Sequence, residues 1–469
     1  MEKTKNNMIG EIDMDIMNNL IKKYDVSSAF MYGEYPHKNF WSKKFNDTDF
    51  RIALKSVFSY RKDIPLLLYV HIPFCRRRCF YCTCRTFVTN DYERVKDYLN
   101  YLYREIDLYH EFFDKNSVMP NFREIHFGGG SPTILYRKEF DQLIEKLQPI
   151  VNIKNLDEFT IEIDPRVTTK EDLLYYHLKG INRISLGIQD FDPEVQKAVN
   201  RIQPLELTEN LLIPDIRKKF KSVNFDIICG LPKQTRESFR KTIDSVIKLS
   251  PDRICLLYLI MSPEFSQHQK LMKESELPNA YERTMFFVES HQRLINNGYI
   301  DIGVDHFAKP TDDVAKGLKN KTLFWSGLGY TPGRYHDIIG IGTSSASRIT
   351  DYYYAHNIYA IPDYETSITN SKFPIFRGYK LNDDDVLRRN IIHDLRTYFS
   401  LNCRDIEQKY SIEFKKYFKE EKTALEEFAK DSIIELSDDT ITITETGKHF
   451  APLVCKVFDK FIRIGKKYD

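Results

Sequence analysis

Four cysteines stand within the run YVHIPFCRRRCFYCTC: Cys75, Cys79 and Cys82 in a C-x3-C-x2-C spacing, and Cys84 two positions further on. Three thiolates on one tight loop can take three corners of a 4Fe-4S cube, leaving the fourth iron free for a ligand that is not protein. An iron with a free position can do chemistry. A zinc knuckle, a disulfide pair and simply packed thiols are the other readings of such a loop. Structural zinc normally collects two separated pairs of ligands, and no second Cys or His pair follows at a suitable distance. From Met1 to Asn19 the chain carries Lys3, Lys5, Glu11, Asp13 and Asp15 and no apolar core. No export signal is therefore expected, which disfavours disulfides and makes the cytoplasm the expected compartment.

A loop of this kind needs rigid elements to hold it. From about Pro65 the sequence alternates β-rich runs with amphipathic stretches. Strands are predicted over Leu66–Ile72, Glu124–Phe127, Glu158–Ile163, Arg183–Gly187, Val223–Cys229 and Arg253–Leu259. Helices are predicted over Asp91–His110, Arg137–Ile150 and Arg236–Leu249, long enough for crossovers. Repeated strand-then-helix units imply an α/β fold, a parallel sheet closed into an open or partial barrel of six units. Each strand runs directly into something polar: the cysteine loop, then Gly128-Gly129-Gly130-Ser131-Pro132-Thr133, then Glu162 and Asp164, then Gln189-Asp190, then Asp226 and Gly230. Active sites of parallel β/α architectures gather at the carboxyl ends of the strands, so these residues are expected to converge.

The chain of 469 residues, 42% apolar and 13% aromatic, is long enough for two or three domains. Residues 1–60 read as an irregular or helical arm, with Met31-Tyr32-Gly33-Glu34-Tyr35-Pro36-His37-Lys38 its distinctive segment. Residues 61–362 read as the barrel with an extension, and residues 363–469 as a helical, winged-helix-like cap. In that cap, helices over Asp384–Phe399 and Phe418–Ala429 precede a two-strand element, Ile433–Leu436 with Thr440–Thr444, and a last helix over Pro452–Ile464. The candidate recognition helices are acidic as well as basic, which argues for a structural cap. The net charge is +2, and no basic block interleaved with aromatics calls for nucleic acid. The longest apolar stretch, Leu66–Phe74, is too short to span a bilayer. Cys229, Cys255, Cys403 and Cys455 lie singly in apolar segments and read as packed thiols.

Gly128 to Gly130 would let the backbone approach a ligand closely, with N–H and C=O groups free to hold a zwitterion. Joined to the cysteine loop on the preceding strand, this turn resembles the radical S-adenosylmethionine (SAM) enzymes. In that superfamily the amine and carboxylate of SAM chelate the open iron, and an electron from the cluster cleaves SAM to a 5′-deoxyadenosyl radical. Further motifs narrow the resemblance. YVHIPFC, HFGGGSPT, IEIDPR, RISLGIQDFDPEVQKAVNR, NFDIICGLPKQT, GYIDIGVDHFAKP, GYTPGRYHDIIGIG and RGYKLNDDDVLRR occur in that order between about Tyr69 and Phe461. Together they resemble the oxygen-independent coproporphyrinogen III oxidase family, whose fold is a partial β/α barrel with a C-terminal cap.

The resemblance implies cluster ligands at Cys75, Cys79 and Cys82. It implies a first SAM against Tyr69, Gly129 and Glu162, and a second SAM site built from Tyr81, Gly130, Ser131, Gln189, Arg201 and Asp226. Cys84 matches the additional cysteine of the family pattern, and with Tyr69 and Glu162 is expected to be catalytic. The implied reaction takes hydrogen from the β-carbon of two propionate side chains of coproporphyrinogen III, after which loss of CO2 and one electron leaves vinyl groups. The basic run Arg76-Arg77-Arg78 and Arg85 could steer an anionic substrate. Implied partners are a small-molecule tetrapyrrole and an electron donor such as flavodoxin or ferredoxin, with no nucleic acid and no membrane span, for a chain expected to be a monomer. The sequence departs from the family pattern at Met31, Ile260, Leu328 and Ala346, near the second SAM and the substrate. Those departures keep two further readings open: a relative using the second SAM as methyl donor, as a C-methyltransferase, cyclopropanase or haem-degrading enzyme, and a non-catalytic haem carrier, against which Cys84 argues.

Overall fold

The computed structural model describes residues 14–24, 34–61, 63–333 and 337–463. Met31-Tyr32-Gly33, the Arg334-Tyr335-His336 part of the GYTPGRYHDIIGIG motif and the end of the last expected helix at Ile464 lie outside the described residues.

The run Leu66–Ile72 shows why a strand forms here and how it faces two ways. Leu66, Leu68, Val70 and Ile72 point into the main apolar core beneath the helices, whereas Leu67 and Tyr69 point to the other face and pack on Ile338. Parallel strands covered on both faces tolerate such near-continuous apolar runs. Six strands pair in parallel in chain order. They are β1 (Pro65–Ile72), β2 (Asn121–Gly129), β3 (Glu158–Ile163), β4 (Arg183–Gln189), β5 (Ser222–Cys229) and β6 (Arg253–Tyr258). Helices over Glu93–Lys115, Arg137–Leu147, Lys170–Leu178 and Arg236–Leu249 make crossovers. The first buries Val95, Leu99, Leu102, Ile106, Tyr109 and Phe113, one stripe at helical spacing. The expected partial barrel is present.

The sheet is larger than the sequence pattern implied. It continues through β7 (Ile300–Ile302), β8 (His306–Ala308), β9 (Asp337–Ile341), β10 (Ala346–Ile349), β11 (Tyr353–Asn357) and β12 (Ile375–Lys380). The twelve strands run in the order β12-β11-β10-β9-β1-β2-β3-β4-β5-β6-β8-β7. Strand β9 joins β1 in parallel, and the flanking strands are antiparallel. The sheet thus extends to Lys380, past the change of sequence pattern at Asp363.

After Lys380 the chain forms helices over Asp383–Tyr398, Cys403–Tyr410 and Lys422–Lys430. The expected two-strand element has a third member: Ser400–Asn402 pairs with Thr440–Ile443, which also pairs with Ile434–Leu436. The last helix is divided into Ala451–Val457 and Lys460–Arg463, because Asp459 turns its carboxylate onto the backbone N–H of Phe461 and restarts the helix. The N-terminal helix, Met14–Lys23, buries Met17 and Leu20 in the same apolar cluster as the cap. The following segment is sewn to β12, where Ser42 and Gly378 exchange backbone hydrogen bonds, and Trp41 donates to the Pro36 carbonyl at 3.0 Å. Among the described residues no helix is long and apolar enough to cross a membrane.

One buried carboxylate fastens the added strands to the barrel. Glu105, on helix Glu93–Lys115, is fully buried. It accepts from the Gly342 N–H (2.7 Å), Tyr364 hydroxyl (2.6 Å) and Asn357 amide (3.0 Å). Burial raises its pKa to about 7, against the opposing effect of those three donors. The fold therefore favours its protonated form, and its contribution to stability declines as pH rises from the ordinary glutamate range towards 7. Glu105→Ala leaves three donors without an acceptor and is expected to cost about 3 kcal/mol. Urea unfolding at pH 6 and pH 8 should show the larger deficit at pH 6.

Candidate active site

The cysteine loop leaves β1 through a two-residue parallel pairing of Phe74–Cys75 with Phe87–Val88. Within it, Arg78 donates to the Thr86 hydroxyl (3.0 Å) and carbonyl (2.7 Å). From outside, Asn200 donates to the Arg78 carbonyl (2.8 Å), His268 meets the Cys82 carbonyl (2.6 Å) and Gln269 donates to the Tyr81 carbonyl (3.0 Å). Of the basic run, Arg77 and Arg78 line the cavity and Arg76 does not; Arg78 is also a strap within the loop. The Sγ of Cys79 lies 3.6 Å from Arg201 Nη1, so a fixed cation faces one of the sulfurs. Burial, then the other two thiols, pushes Cys75 up to about 12. A hydrogen bond with Cys84 brings Cys82 down to about 7, against burial.

The glycine turn lies against this loop. Gly128 and Gly129 belong to β2 rather than to the turn after it, so the strand carries the glycines to the cavity. Gly129 has φ +113°, and a Cβ there would fall 2.5 Å from the His71 ring. A Cβ on Gly130 would lie 2.6 Å from the Phe74 carbonyl oxygen. Gly130 and Ser131 donate to Ile72 and Phe74, both at 2.8 Å. Backbone therefore touches backbone directly beside Cys75. Glu162 accepts from Gly129 N–H at 3.2 Å and stands 3.1 Å from His126 Nε2. Tyr69 bonds His71 Nδ1 at 3.0 Å, and His71 Nε2 faces the Arg85 carbonyl at 3.5 Å. Burial lowers His71 to about 4, so its ring is neutral near pH 7. With a carbonyl opposite Nε2, the proton belongs on Nε2 and Tyr69 donates to Nδ1.

Around the barrel, Asp164 is gripped by Arg166 at 2.7 and 2.9 Å. Burial opposes this charge, but Arg201 and then Arg166 outweigh it and bring Asp164 to about 2. Arg201 also donates to the Gly187 carbonyl at 2.6 Å. Gln189 holds a left-handed φ of +67°, a strained conformation for this residue type that clusters at functional sites. Asp226 accepts from Asn224 (2.8 Å) and Ser185 (3.1 Å). Burial, and then Glu162, raises its pKa.

These groups surround one cavity of about 1810 Å3. The residues expected to hold the cluster and SAM line it: Cys75, Cys79, Cys82, Cys84, Tyr69, Tyr81, Gly129, Gly130, Ser131, Glu162, Gln189, Arg201 and Asp226. Of the other strand-end residues expected to converge, Asp164 lines it, whereas Gly128, Pro132, Thr133, Asp190 and Gly230 do not; Asp190 turns inward to accept from Gln234 and Thr242. Of the departures, Ile260, Leu328 and Ala346 also line it, and Met31 is outside the described residues. Sequence reading missed His71, His126 and Arg166, which pair with the assigned residues. It also missed His306, reached from β8 and bonded to Asp305 at 2.8 Å. Cys255, read as a packed thiol, is buried but faces the cavity 3.9 Å from His306. Period-two alternation held a signal: His71, His126 and Ser185 each stand two places from an assigned cavity residue or glycine along their strands.

The donor set suits a cluster. A cubane takes one thiolate per iron at three corners, and Cys75, Cys79 and Cys82 all line the one cavity. Polar groups for a ligand are present as well: the buried Gln189 Oε1, Arg201 Nε and Asn224 Oδ1 have no protein partner. A parallel β/α sheet with three cysteines after its first strand and a glycine strand beside them defines a radical SAM protein. The superfamily's model matches residues 69–246.

Comparison with whole proteins is more specific. The chain is 37% identical over 445 residues to the oxygen-independent coproporphyrinogen III oxidase of Pseudomonas aeruginosa, covering 94% of this chain and 95% of that one. It is 34% identical over 455 residues to the Escherichia coli protein of the same name, covering 97% of each. The solved structure of coproporphyrinogen III oxidase from Escherichia coli superposes with a TM-score of 0.86 at 33% identity, covering 94% of this chain and 98% of that one. The chain belongs to the oxygen-independent coproporphyrinogen III oxidase family.

Proposed function

We propose that this protein converts two propionate side chains of coproporphyrinogen III to vinyl groups in haem biosynthesis, by oxidative decarboxylation without oxygen. The observation that carries the reading is the single cavity in which the three cysteines, the glycine strand and the Glu162, Gln189, Arg201 and Asp226 side chains meet. A 4Fe-4S cluster and SAM, when bound, supply a 5′-deoxyadenosyl radical able to take hydrogen from unactivated carbon. Cys75, Cys79 and Cys82 hold that cluster, each as a thiolate. Arg201, 3.6 Å from Cys79 Sγ, offsets negative charge at that corner. Glu162 is held between His126 and Gly129 N–H and accepts from a ligand amine or ribose hydroxyl. Tyr69 and His71 hold a proton within a fixed hydrogen bond beside the glycine strand. Cys84, exposed at the cavity wall and bonded to Cys82, remains outside the ligand set as a thiol.

A second SAM occupies the side formed by Tyr81, Gly130, Ser131, Gln189, Arg201 and Asp226. The unpartnered Gln189 Oε1 and Arg201 Nε support this. Asp226→Ala is expected to halve the SAM bound per chain while leaving iron content unchanged, read by equilibrium dialysis with labelled SAM. One SAM per chain in the unaltered protein would overturn the second site. The protein works as a cytoplasmic monomer reduced by a flavodoxin- or ferredoxin-type donor. Its organisation is an arm over residues 1–60, a barrel extended to Lys380, and a cap. The functional test is an anaerobic assay of reconstituted protein with SAM, dithionite and coproporphyrinogen III. Release of two CO2 per tetrapyrrole is expected. Formation of 5′-deoxyadenosine with an unchanged tetrapyrrole would reject this substrate and bring methyl transfer forward.

A further inference from the structure

At one end of the cavity the arm, the cysteine loop and the antiparallel strands bring several cations together. Lys38 comes from the arm, Arg85 from the cysteine loop, Arg348 from β10 and Arg377 from β12, and all four line the cavity. The carboxylate in their midst is Glu34, 2.7 Å from Arg348. Arg377 instead donates to the Lys38 carbonyl (3.0 Å) and to the Tyr359 hydroxyl. Arg85 and Arg377 both lie over the Tyr359 ring, at 5.4 and 5.9 Å, which fixes their guanidinium groups without neutralising them.

Gathering like charges is unfavourable unless an anion completes the group. The neighbours register the imbalance. Lys38 is pressed below the ordinary lysine range by loss of solvation, with Glu34 opposing and Arg377, Arg348 and Arg85 adding to the shift. His37 falls to about 4 through burial and then Lys38, and His356 to about 3 through burial and then Lys38 and Arg377. Both imidazoles are therefore neutral near pH 7 and leave the cations as the charge of this wall.

We infer that Lys38, Arg85, Arg348 and Arg377 form a carboxylate clamp for the propionates of the tetrapyrrole that are not decarboxylated. The inference rests on the substrate reading above. A substrate with four propionates that loses two as CO2 keeps two as lasting anionic handles, and guanidinium groups match carboxylates in geometry as well as charge. An acidic protein surface, such as that of an electron donor, is the other anion to weigh. Lys38 and Arg85 are exposed, but Arg348 and Arg377 are half-buried and line the cavity, which favours a small ligand.

The test is a fluorescence titration of the iron-loaded, SAM-bound protein with coproporphyrin III and with its uncharged tetramethyl ester. The unaltered protein should bind the free acid at least tenfold more tightly than the ester. Lys38→Met and Arg377→Gln should each weaken free-acid binding at least tenfold, leave ester binding and iron content unchanged, and reduce the salt dependence of affinity. Arg377→Lys should recover part of the loss, showing that charge rather than folding is at issue. Unchanged free-acid affinity in both variants, or a loss confined to reduction by the protein donor, would overturn the clamp. If the unaltered protein binds neither porphyrin, the substrate reading fails, and the clamp with it.

Discussion

Replacing Cys75 with alanine is expected to abolish the cluster and with it all cleavage of SAM. The reason is geometric. Cys75 ends the two-residue strand that Phe87–Val88 fixes in place, with its carbonyl accepting from Thr89 N–H at 3.0 Å, so its thiol is a ligand presented from a fixed backbone. Outer-shell partners of a metal already carry 10–100-fold effects, and loss of a ligand should reduce 5′-deoxyadenosine formation by more than about a hundredfold. Unfolding should move little, because Cys75 is half-buried and the loop keeps its Arg78–Thr86 strap. Cys84→Ser is the informative companion: iron content should stay, while substrate turnover falls. Iron analysis with visible absorbance, alongside product chromatography, checks both. Unchanged iron and turnover in Cys75→Ala would remove the cluster assignment.

The second large effect is expected from a single methyl group. Gly130→Ala places a Cβ 2.6 Å from the Phe74 carbonyl oxygen and 2.8 Å from its nitrogen. Neither side can give easily, since Gly130 N–H is held to Ile72 and Ser131 N–H to Phe74. The strain must therefore displace Phe74 and its neighbour Cys75. Overpacking of this kind costs about 1–3 kcal/mol, and here it falls on a cluster ligand. Gly130→Ala should lower both the melting temperature and the iron bound after reconstitution, whereas alanine at Gly298, where a new Cβ meets nothing within 4 Å, should leave iron content unchanged. Full iron content in Gly130→Ala would show that the glycine strand and cysteine loop are independent.

The parallel strands were legible because each is a short apolar run followed by a helical stretch, the period change that marks a β/α unit. Helix Arg236–Leu249 begins where expected because Thr235 caps it through Ser238 N–H. Strands β7 to β12, which flank the six-strand barrel, were not legible. His306–Ala308 and Ile300–Ile302 are three residues each, and β12 carries Arg377, Tyr379 and Lys380 at a sheet edge, so none shows a sustained period. Site residues at strand ends could be read from position. Arg166, which holds Asp164, and the arm segment bearing Lys38 could not, since their role depends on long-range packing. The stitching of Ser42 to Gly378 brings residues distant in sequence to one cavity wall, and no local pattern encodes it.

The most direct test of the central claim is isotopic. Coproporphyrinogen III deuterated at the β-carbons of its propionates would be turned over anaerobically with SAM and reductant, and the 5′-deoxyadenosine analysed by mass spectrometry. A propionate site for the radical predicts deuterium in the 5′-deoxyadenosine, with one CO2 released for each labelled molecule formed. Unlabelled 5′-deoxyadenosine beside a decarboxylated tetrapyrrole, or label retained entirely in the tetrapyrrole, would contradict hydrogen removal at that carbon.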